Sequence, residues 1–171
     1  MAGRRPGPCR CALFGRSGVP LSDVVELRPV TAQNLDACLA LRVHPDQEGF
    51  VAPNVRSLAE AYVHPEAQTR VIHHGSELVG FVLFHPVEVG RPDQGHCIVR
   101  FMVDHRFQGQ GIGRRALRAA LDWVSREHHT DVVQLSFRPE NVRARSFYRA
   151  AGFEDTGEVS EGEIVMRWTV P

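Results

Sequence analysis

The 171-residue sequence contains no lysine, few cysteines and no long apolar run. The absence of lysine excludes a phosphate-binding P-loop, because that motif needs a lysine to contact the phosphates. The four cysteines, Cys9, Cys11, Cys38 and Cys97, lack the paired spacing of a zinc site or a regular disulfide framework. No run approaches the roughly 18 apolar residues of a transmembrane helix, and the opening segment lacks the apolar stretch of a signal peptide. These absences predict a cytoplasmic protein.

The charges balance, with 20 arginines against 20 acidic residues. A neutral chain argues against general binding to nucleic acid or to a membrane surface. The length suits one domain of ordinary size. Residues 1–22 are rich in Gly, Pro and Arg without helical or strand periodicity, so we expect a disordered tail there and a single domain over residues 23–171.

Hydrophobic periodicity predicts the element order β-α-α-β-β-β-α-β-α-β-β. In the first half, Thr31 is the expected cap of the first helix, and Ser57 with Glu60 forms an expected capping box for the second. A hairpin is expected around Gly75 and Ser76, between two β-rich runs. The order predicts the α/β class, with a single mixed, mostly antiparallel central sheet flanked by helices.

The second half carries a strand that leads into a glycine-rich loop and then a helix. The apolar run at residues 132–137 predicts a central strand, and the next helix is expected to start at Asn141 and end before Gly152. Two closing strands are expected around Gly157 and Gly162.

The segment RFQGQGIGRRAL places Gly109, Gly111 and Gly113 directly before a predicted helix. A helix start offers unpaired N–H groups and a partial positive charge, and glycines let other atoms approach the backbone closely. The GxGxG spacing departs from the GxGxxG of dinucleotide-binding folds, and a simple strand-to-helix turn is the other alternative. We favour a loop that binds a pyrophosphate.

Together with a second segment, the glycine-rich segment resembles motifs of the GCN5-related N-acetyltransferases. The segment from Gln108 to Gly113 is similar to their Q/R-x-x-G-x-G/A element, and NVRARSFYRAAGF is similar to their N-x-x-A-x-x-x-Y-x-x-x-G-F segment. The resemblance covers roughly residues 24 to 170 and implies the acyl-CoA N-acyltransferase fold with acetyl-CoA as co-substrate. FVAPN, SLAEAY and GEIVM look most like small bacterial enzymes that acetylate spermine, spermidine or other polyamines.

The resemblance also implies roles for individual residues. The loop that wraps the pyrophosphate consists of Gln108, Gly109, Gln110, Gly111, Ile112 and Gly113, and Arg114 adds a charge. The strand that pairs with the pantetheine arm and holds the thioester carbonyl contains Phe101, Met102 and Val103, and Asn141 contacts the same arm.

Tyr148 is the group that, by the same resemblance, protonates the departing thiolate. It shares a helical stripe with residues 144, 147 and 151, so a role as a core aromatic is the alternative. Because a tyrosine pKa near 10 exceeds a thiol pKa near 8.5, we expect it to act mainly by donating a hydrogen bond.

The acceptor amine needs a base, since an aliphatic amine with a pKa near 10.4 is mostly protonated at pH 7. The candidates are Glu48, His96 and Glu60, and Glu48 is the choice as base or acceptor-binding group. No histidine pair has a third ligand at metal-binding spacing, so no metal is expected. Cys97 lacks an evident histidine base, which favours direct transfer over a covalent intermediate.

The predicted function is therefore direct transfer of an acetyl group from acetyl-CoA to a small-molecule amine, with a polyamine as the leading acceptor. The alternatives are transfer to protein, peptide or antibiotic amines, or a non-catalytic acyl-CoA-binding module. A carboxylate cluster suited to a polyamine is expected from Glu48 and the SEGEI segment at residues 160–164. A homodimer is expected by the same resemblance.

Overall fold

A computed structural model describes residues 24–87 and 95–171 of the chain. The expected disordered tail at residues 1–22, and residues 88–94 of the loop after the third strand, lie outside these ranges. The strands are β1 (Val25–Pro29), β2 (Gln68–His74), β3 (Glu77–Pro86), β4 (His96–Val103), β5 (Val132–Phe137), β6 (Glu154–Ser160) and β7 (Glu163–Thr169). The helices are α1 (Leu35–Ala40), α2 (Asn54–Val63), α3 (Ile112–His128) and α4 (Val142–Ala150), with short 3-10 helices at Pro45–Gln47 and His105–Phe107.

Seven strands form one sheet in the order β1-β2-β3-β4-β5-β7-β6. Every neighbouring pair is antiparallel except β4 and β5, which run parallel. β5 is an interior strand, as its nearly continuous apolar sequence predicts. The predicted element order and the mixed, mostly antiparallel sheet are confirmed.

Helices cover both faces of the sheet. The larger apolar core lies between the sheet and α3, where Ala116, Leu117 and Val124 are fully buried at helical spacing, and α4 packs against the same core through Phe147 and Tyr148. A smaller core on the opposite face is formed with α1 and α2, centred on fully buried residues that include Cys38, Val71 and Phe81.

Two predicted helix starts are wrong. α1 begins at Leu35 rather than after Thr31, because Asn34 folds residues 31–34 into a turn: its Oδ1 accepts from the Thr31 amide at 2.8 Å and its Nδ2 donates to the Pro29 carbonyl at 3.0 Å. The Asn34 amide, which a Thr31 side-chain cap was expected to serve, instead donates to the Thr31 carbonyl at 3.2 Å.

α2 begins at Asn54, one turn before the predicted capping box. The amides of Arg56 and Ser57 donate to the Pro53 carbonyl, so Ser57 lies inside the helix with its side chain fully buried. Glu60 forms ion pairs with Arg56 and, across to β4, with Arg100. The pattern of Ser57 and Glu60 was misleading because Pro53 already fixes a backbone angle that suits a helix start.

β4 and β5 separate along their length, which opens a split in the middle of the sheet. Only His96 to Ile98 pair with Val133 to Leu135, so residues 99–103 have no strand partner on the β5 side within the described ranges. The register of β3 against β4 also shifts here, and Val99 is the extra residue of a bulge. The split leaves one edge of β4 open over residues 99–103.

Candidate active site

The glycine loop stands at the far end of this split and leads into α3. Gly109 and Gly111 both have φ of 75°, a left-handed conformation that suits glycine, and a Cβ added to either would meet no atom within 4 Å. Gly111 is the N-cap residue of α3 and provides no side-chain cap. Within the described ranges, no backbone acceptor is found for the amides of residues 109–114. These N–H groups are free to bind an anion.

Asp104 anchors the turn that precedes the loop. Its buried carboxylate, 1% exposed, accepts hydrogen bonds from the Arg42 amide at 2.9 Å and from the Arg106 amide and Nε at 3.0 and 2.7 Å. Burial alone raises the pKa of this carboxyl, but the bonds from Arg106 and Arg42 outweigh it, so the net pKa lies below the ordinary value. Sequence reasoning missed Asp104, although an aspartate directly before a turn is a recognisable cap signal.

The Gln108 side chain connects the loop to two other segments. Its Nε2 donates to the Val103 carbonyl at 2.8 Å and to Gln47 Oε1 at 2.9 Å, and its Oε1 accepts from Gln47 Nε2 at 3.1 Å. Asp46, next to Gln47, forms an ion pair of 3.2 Å with Arg143 in α4. The 3-10 helix Pro45–Gln47 therefore bridges the glycine loop and α4.

The predicted arm-binding strand forms one wall of the split. Met102 and Val103 are buried, whereas the Phe101 ring stacks on Phe147 of α4 with 6.1 Å between ring centroids. In a strand paired on one side, alternate N–H and C=O groups face the open side, so backbone groups of β4 point into the split. Gly80 on β3 keeps this wall in place, because a Cβ there would lie 2.5 Å from the Met102 carbonyl oxygen.

Tyr148 lies beside the split, in an aromatic cluster. Its ring packs on Phe137 at the end of β5, and on Phe147 and Phe153, with centroid separations of 6.1, 5.3 and 5.7 Å. Within the described residues, no hydrogen-bond partner is found for its hydroxyl group. Burial raises the pKa of Tyr148 to about 12, so the phenol stays protonated at neutral pH. The side chain is thus both a packed aromatic and an available proton donor.

Two other predicted cofactor residues also lie at helix starts. Asn141 caps α4, with Oδ1 accepting from the Ala144 amide at 3.1 Å, as the sequence predicts for the start of this helix. Arg114 is exposed in the first turn of α3. Both border the region between the glycine loop and α4.

A groove of about 300 Å³ opens where β4 and β5 are still paired. It lies on the sheet face opposite α3, since Ile98 and Val133 point into the core beneath α3 and their neighbours Cys97 and Gln134 point away from it. Its lining residues are Val87, Cys97, Gln134, Leu135, Ser136, Glu158, Ser160 and Val165.

Two glutamate carboxylates lie at the edge of this groove. Glu158 lines it, and Glu163 accepts a short hydrogen bond from the lining Ser136 hydroxyl. Burial raises the pKa of the Cys97 thiol to about 11, with a further contribution from Glu163 and an opposing one from Arg100. The groove therefore has two carboxylates at its edge with Arg100 nearby, and the thiol remains protonated at neutral pH.

The candidate bases lie in three different places. Glu48 is exposed in the turn after Pro45–Gln47. Glu60 is held by Arg56 and Arg100 on the α2 side of the sheet. His96 stacks on His128 of α3 with 4.2 Å between rings, so it faces away from the groove, and burial, with smaller effects of His128 and His85, lowers its pKa to about 4.

A second hollow of about 350 Å³ lies between α3 and the C-terminal end of the chain, around Arg118, Asp122 and Trp168. It contains none of the predicted site residues. Among the described residues, no helix is both long and apolar enough to span a bilayer.

A sequence profile of the acetyltransferase (GNAT) family matches residues 35–153, which include the glycine loop, the split strand and α4. The chain belongs to this family. The spermine/spermidine N(1)-acetyltransferase of Bacillus subtilis is 27% identical over 146 residues, which cover 83% of this chain and 96% of that protein.

The GNAT fold is shared with solved structures at lower identity. The acetyltransferase AAC(6')-Ib, in complex with paromomycin and acetyl-CoA, has a TM-score of 0.71 at 21% identity over 86% of this chain and 94% of that chain. The spermidine N-acetyltransferase of Vibrio cholerae, in complex with CoA and spermine, has a TM-score of 0.65 at 19% identity over 84% and 92%. The predicted family, fold and acetyl-CoA-dependent N-acetyltransferase activity are confirmed.

Proposed function

We propose that this GNAT enzyme transfers the acetyl group of acetyl-CoA directly to a primary amine of a small cationic molecule, with a polyamine as the leading acceptor. The observation that carries the proposal is the placement of two open sites along one split: unpaired amides at one end and a groove with carboxylates at the other. A thioester held between them meets an amine that enters from the groove.

In this proposal the amides of residues 109–114 hold the diphosphate of acetyl-CoA, and the start of α3 adds its dipole. Bonds from Gln108 to Val103 and Gln47 fix the loop before the ligand arrives. The exposed Arg114 adds a charge, and Asn141 contacts the pantetheine arm. A preorganised loop loses little conformational entropy on binding.

Acetyl-CoA supplies an activated thioester carbonyl, and the chain supplies the groups around it. Open backbone N–H groups of β4, between Phe101 and Val103, stabilise the negative charge that develops on the carbonyl oxygen. The Tyr148 hydroxyl donates a hydrogen bond to the sulfur as it leaves. The nitrogen–carbon bond forms, the carbon–sulfur bond breaks, and the amine proton passes to the base.

Direct transfer is favoured over an acetylated cysteine. The thiol of Cys97, with its pKa raised to about 11, has on the order of one thiolate in ten thousand at pH 7. A covalent route would also need a base beside the thiol. His96 faces the opposite side of the sheet, and His85, the register partner of Cys97, has its ring nitrogens directed at the Pro86 carbonyl and at Glu66. A Cys97→Ala enzyme is therefore expected to retain its turnover.

The acceptor must lose a proton before it attacks, because deprotonation of an amine with a pKa near 10.4 costs about 4.6 kcal/mol at pH 7. Glu48 remains the proposed base or acceptor-binding group because it is an exposed carboxylate next to the segment that contacts the glycine loop, although it is not among the residues that line the groove. Glu48→Gln is expected to lower kcat/KM for the amine at pH 7, and the deficit should shrink toward pH 10. An unchanged pH profile would remove Glu48 from the reaction.

The role of the glycine loop is tested with matched alanine variants. Gly111 and Gly157 have φ of 75° and 78°, and neither has an atom within 4 Å of an added Cβ. Both substitutions carry a similar conformational cost of about 1–2 kcal/mol. Calorimetry should show weaker acetyl-CoA binding for Gly111→Ala alone. Equal affinities of the two variants would contradict diphosphate binding at the loop.

The acceptor class is tested by neutralising the groove. Replacing Glu158 and Glu163 by glutamine should raise KM for spermidine roughly tenfold, since each partly exposed carboxylate contributes on the order of 0.5–1 kcal/mol. Glu77→Gln, at the β2–β3 hairpin, removes one negative charge away from the groove and serves as the control for each single substitution.

An amine screen that measures thiol release separates the alternatives. Acetylation of aminoglycosides or peptide N-termini, with no turnover of polyamines, would keep the enzyme class and overturn the polyamine assignment. Acetyl-CoA binding without thiol release for any amine would indicate a binding module. Small-amine turnover by initial-rate kinetics should show a ternary complex rather than a ping-pong pattern.

A further inference from the structure

Three side chains that offer metal-ligand atoms meet on the α2 side of the sheet. His64 and Glu66 follow α2, and His85 lies near the end of β3. Nδ1 or Nε2 of each histidine and a carboxylate oxygen of Glu66 all lie within 4.8 Å of one another. The linear spacing of the histidines gave no hint of this group, because His85 is 19 residues beyond Glu66 in the chain.

The backbone holds these side chains in place. The chain turns over His64 to Ala67, with the Ala67 amide donating to the His64 carbonyl at 2.9 Å and Pro65 at the second position of the turn. His85 belongs to a central strand and is the register partner of Cys97 on β4. Gln68, next after the turn, pairs with Phe84, so the turn lies against the end of β3.

The hydrogen bond of His85 determines which ring nitrogen is available. Its Nδ1 lies 2.9 Å from the Pro86 carbonyl oxygen, and because a carbonyl only accepts, Nδ1 carries a proton. A neutral His85 then directs the lone pair of Nε2 at Glu66 Oε1, 3.1 Å away. Two lone pairs at that distance repel each other unless a cation lies between them. An Nδ1–H bonded to a carbonyl is the usual support of a histidine that binds metal through Nε2.

The distances between the ligand atoms suit a metal ion with tetrahedral coordination. Zinc binds His nitrogen at about 2.0–2.1 Å and carboxylate oxygen at similar distances, which places neighbouring ligand atoms about 3.3 Å apart. Here Glu66 Oε1 lies 3.1 Å from His85 Nε2 and 3.8 Å from His64 Nδ1. The ligand nitrogens of His64 and His85 lie within 4.8 Å of each other, so rotation of the exposed His64 and Glu66 side chains toward the ion would complete the geometry.

We propose that His64, Glu66 and His85 bind a divalent transition-metal ion, with zinc as the best fit, and that water completes the tetrahedron. Two imidazoles and one carboxylate form the ligand set typical of a three-ligand zinc site with one open position. The ion ties the turn after α2 to β3, one strand from the proposed acceptor groove. The competing state is an ion pair between protonated His85 and Glu66 without metal.

The test uses the full chain after removal of metal with a chelator. Calorimetric titration with Zn²⁺ should show one ion per chain, and Co²⁺ loading should give the visible absorption of a tetrahedral site. At 100-fold excess over the dissociation constant, zinc should raise the melting temperature by roughly 5 to 10 °C.

Glu66→Gln and His85→Asn should each abolish this site. His129→Asn is the control: it removes an exposed imidazole at a left-handed position, φ 50°, that asparagine tolerates, so zinc binding should persist. No zinc binding by the parent chain, or binding that survives both ligand variants, would overturn the proposal. Because these readouts do not use acetyl transfer, their failure is distinct from failure of the proposed function.

Discussion

Replacement of Tyr148 by phenylalanine separates catalysis from packing. The phenylalanine ring retains the contacts with Phe137, Phe147 and Phe153, so the free energy of unfolding should change by no more than about 0.5 kcal/mol. Only the hydroxyl group is lost. Because that group has no bonding partner among the described residues, its removal leaves no other polar group unsatisfied.

The size of the effect follows from the pKa of Tyr148. Full proton transfer from a phenol with a pKa of about 12 to a thiolate with a pKa near 8.5 is uphill by roughly 3.5 units, or about 5 kcal/mol. The hydroxyl therefore acts by hydrogen bonding to the developing thiolate, and such bonds to charged groups contribute about 1.5–3 kcal/mol. We expect kcat of Tyr148→Phe to fall about 10- to 150-fold, while the dissociation constant of acetyl-CoA stays unchanged.

The assay is thiol release at saturating acetyl-CoA, measured from pH 7 to pH 10 for both enzymes. With the Tyr148 pKa raised, the phenol stays protonated over this range, so the ratio of the two kcat values should be constant. An ordinary pKa near 10 would instead make the ratio decline as the pH approaches 10. Equal kcat values for the two enzymes would refute a catalytic role and leave Tyr148 as a core aromatic.

Two further substitutions test how the site is supported. Asp104→Asn should lower the free energy of unfolding by about 1–3 kcal/mol at pH 7, measured by urea denaturation, because it weakens buried hydrogen bonds to a carboxylate. Since the folded-state pKa is lowered, this difference should persist above the ordinary carboxyl pKa and disappear as the pH falls through the lowered value. Gly80→Ala should lower the free energy of unfolding by about 1–3 kcal/mol and raise KM for acetyl-CoA, because the new Cβ displaces Met102. Gly49→Ala is the control: no atom lies within 4 Å of its new Cβ, so the free energy of unfolding should change by no more than about 0.5 kcal/mol. Equal effects of the two substitutions would refute the steric explanation.

Much of the fold was predictable because its signals are local. Alternating apolar residues, the hairpin at Gly75 and the cap at Asn141 each depend on neighbours within a few positions. The wrong helix starts at Thr31 and Ser57 have the same origin: several local patterns competed, and the turn made by Asn34 and the fixed geometry of Pro53 prevailed.

Sequence patterns located the glycine loop and Tyr148 but not the contacts around them. The bond between Gln47 and Gln108 joins residues 61 positions apart, and the split between β4 and β5 arises from strand pairing that a linear pattern does not encode. The groove carboxylates were only partly predicted: the SEGEI segment contributes Glu163, and Glu158 was missed. The cytoplasmic location and the homodimer stay predictions.

The most direct test is a crystal structure of the enzyme with acetyl-CoA bound. The account predicts diphosphate oxygens within about 2.7–3.2 Å of backbone nitrogens of residues 109–114, and the thioester carbonyl against the open edge of β4. A diphosphate bound elsewhere, with the amides of the loop still facing solvent, would contradict the central claim.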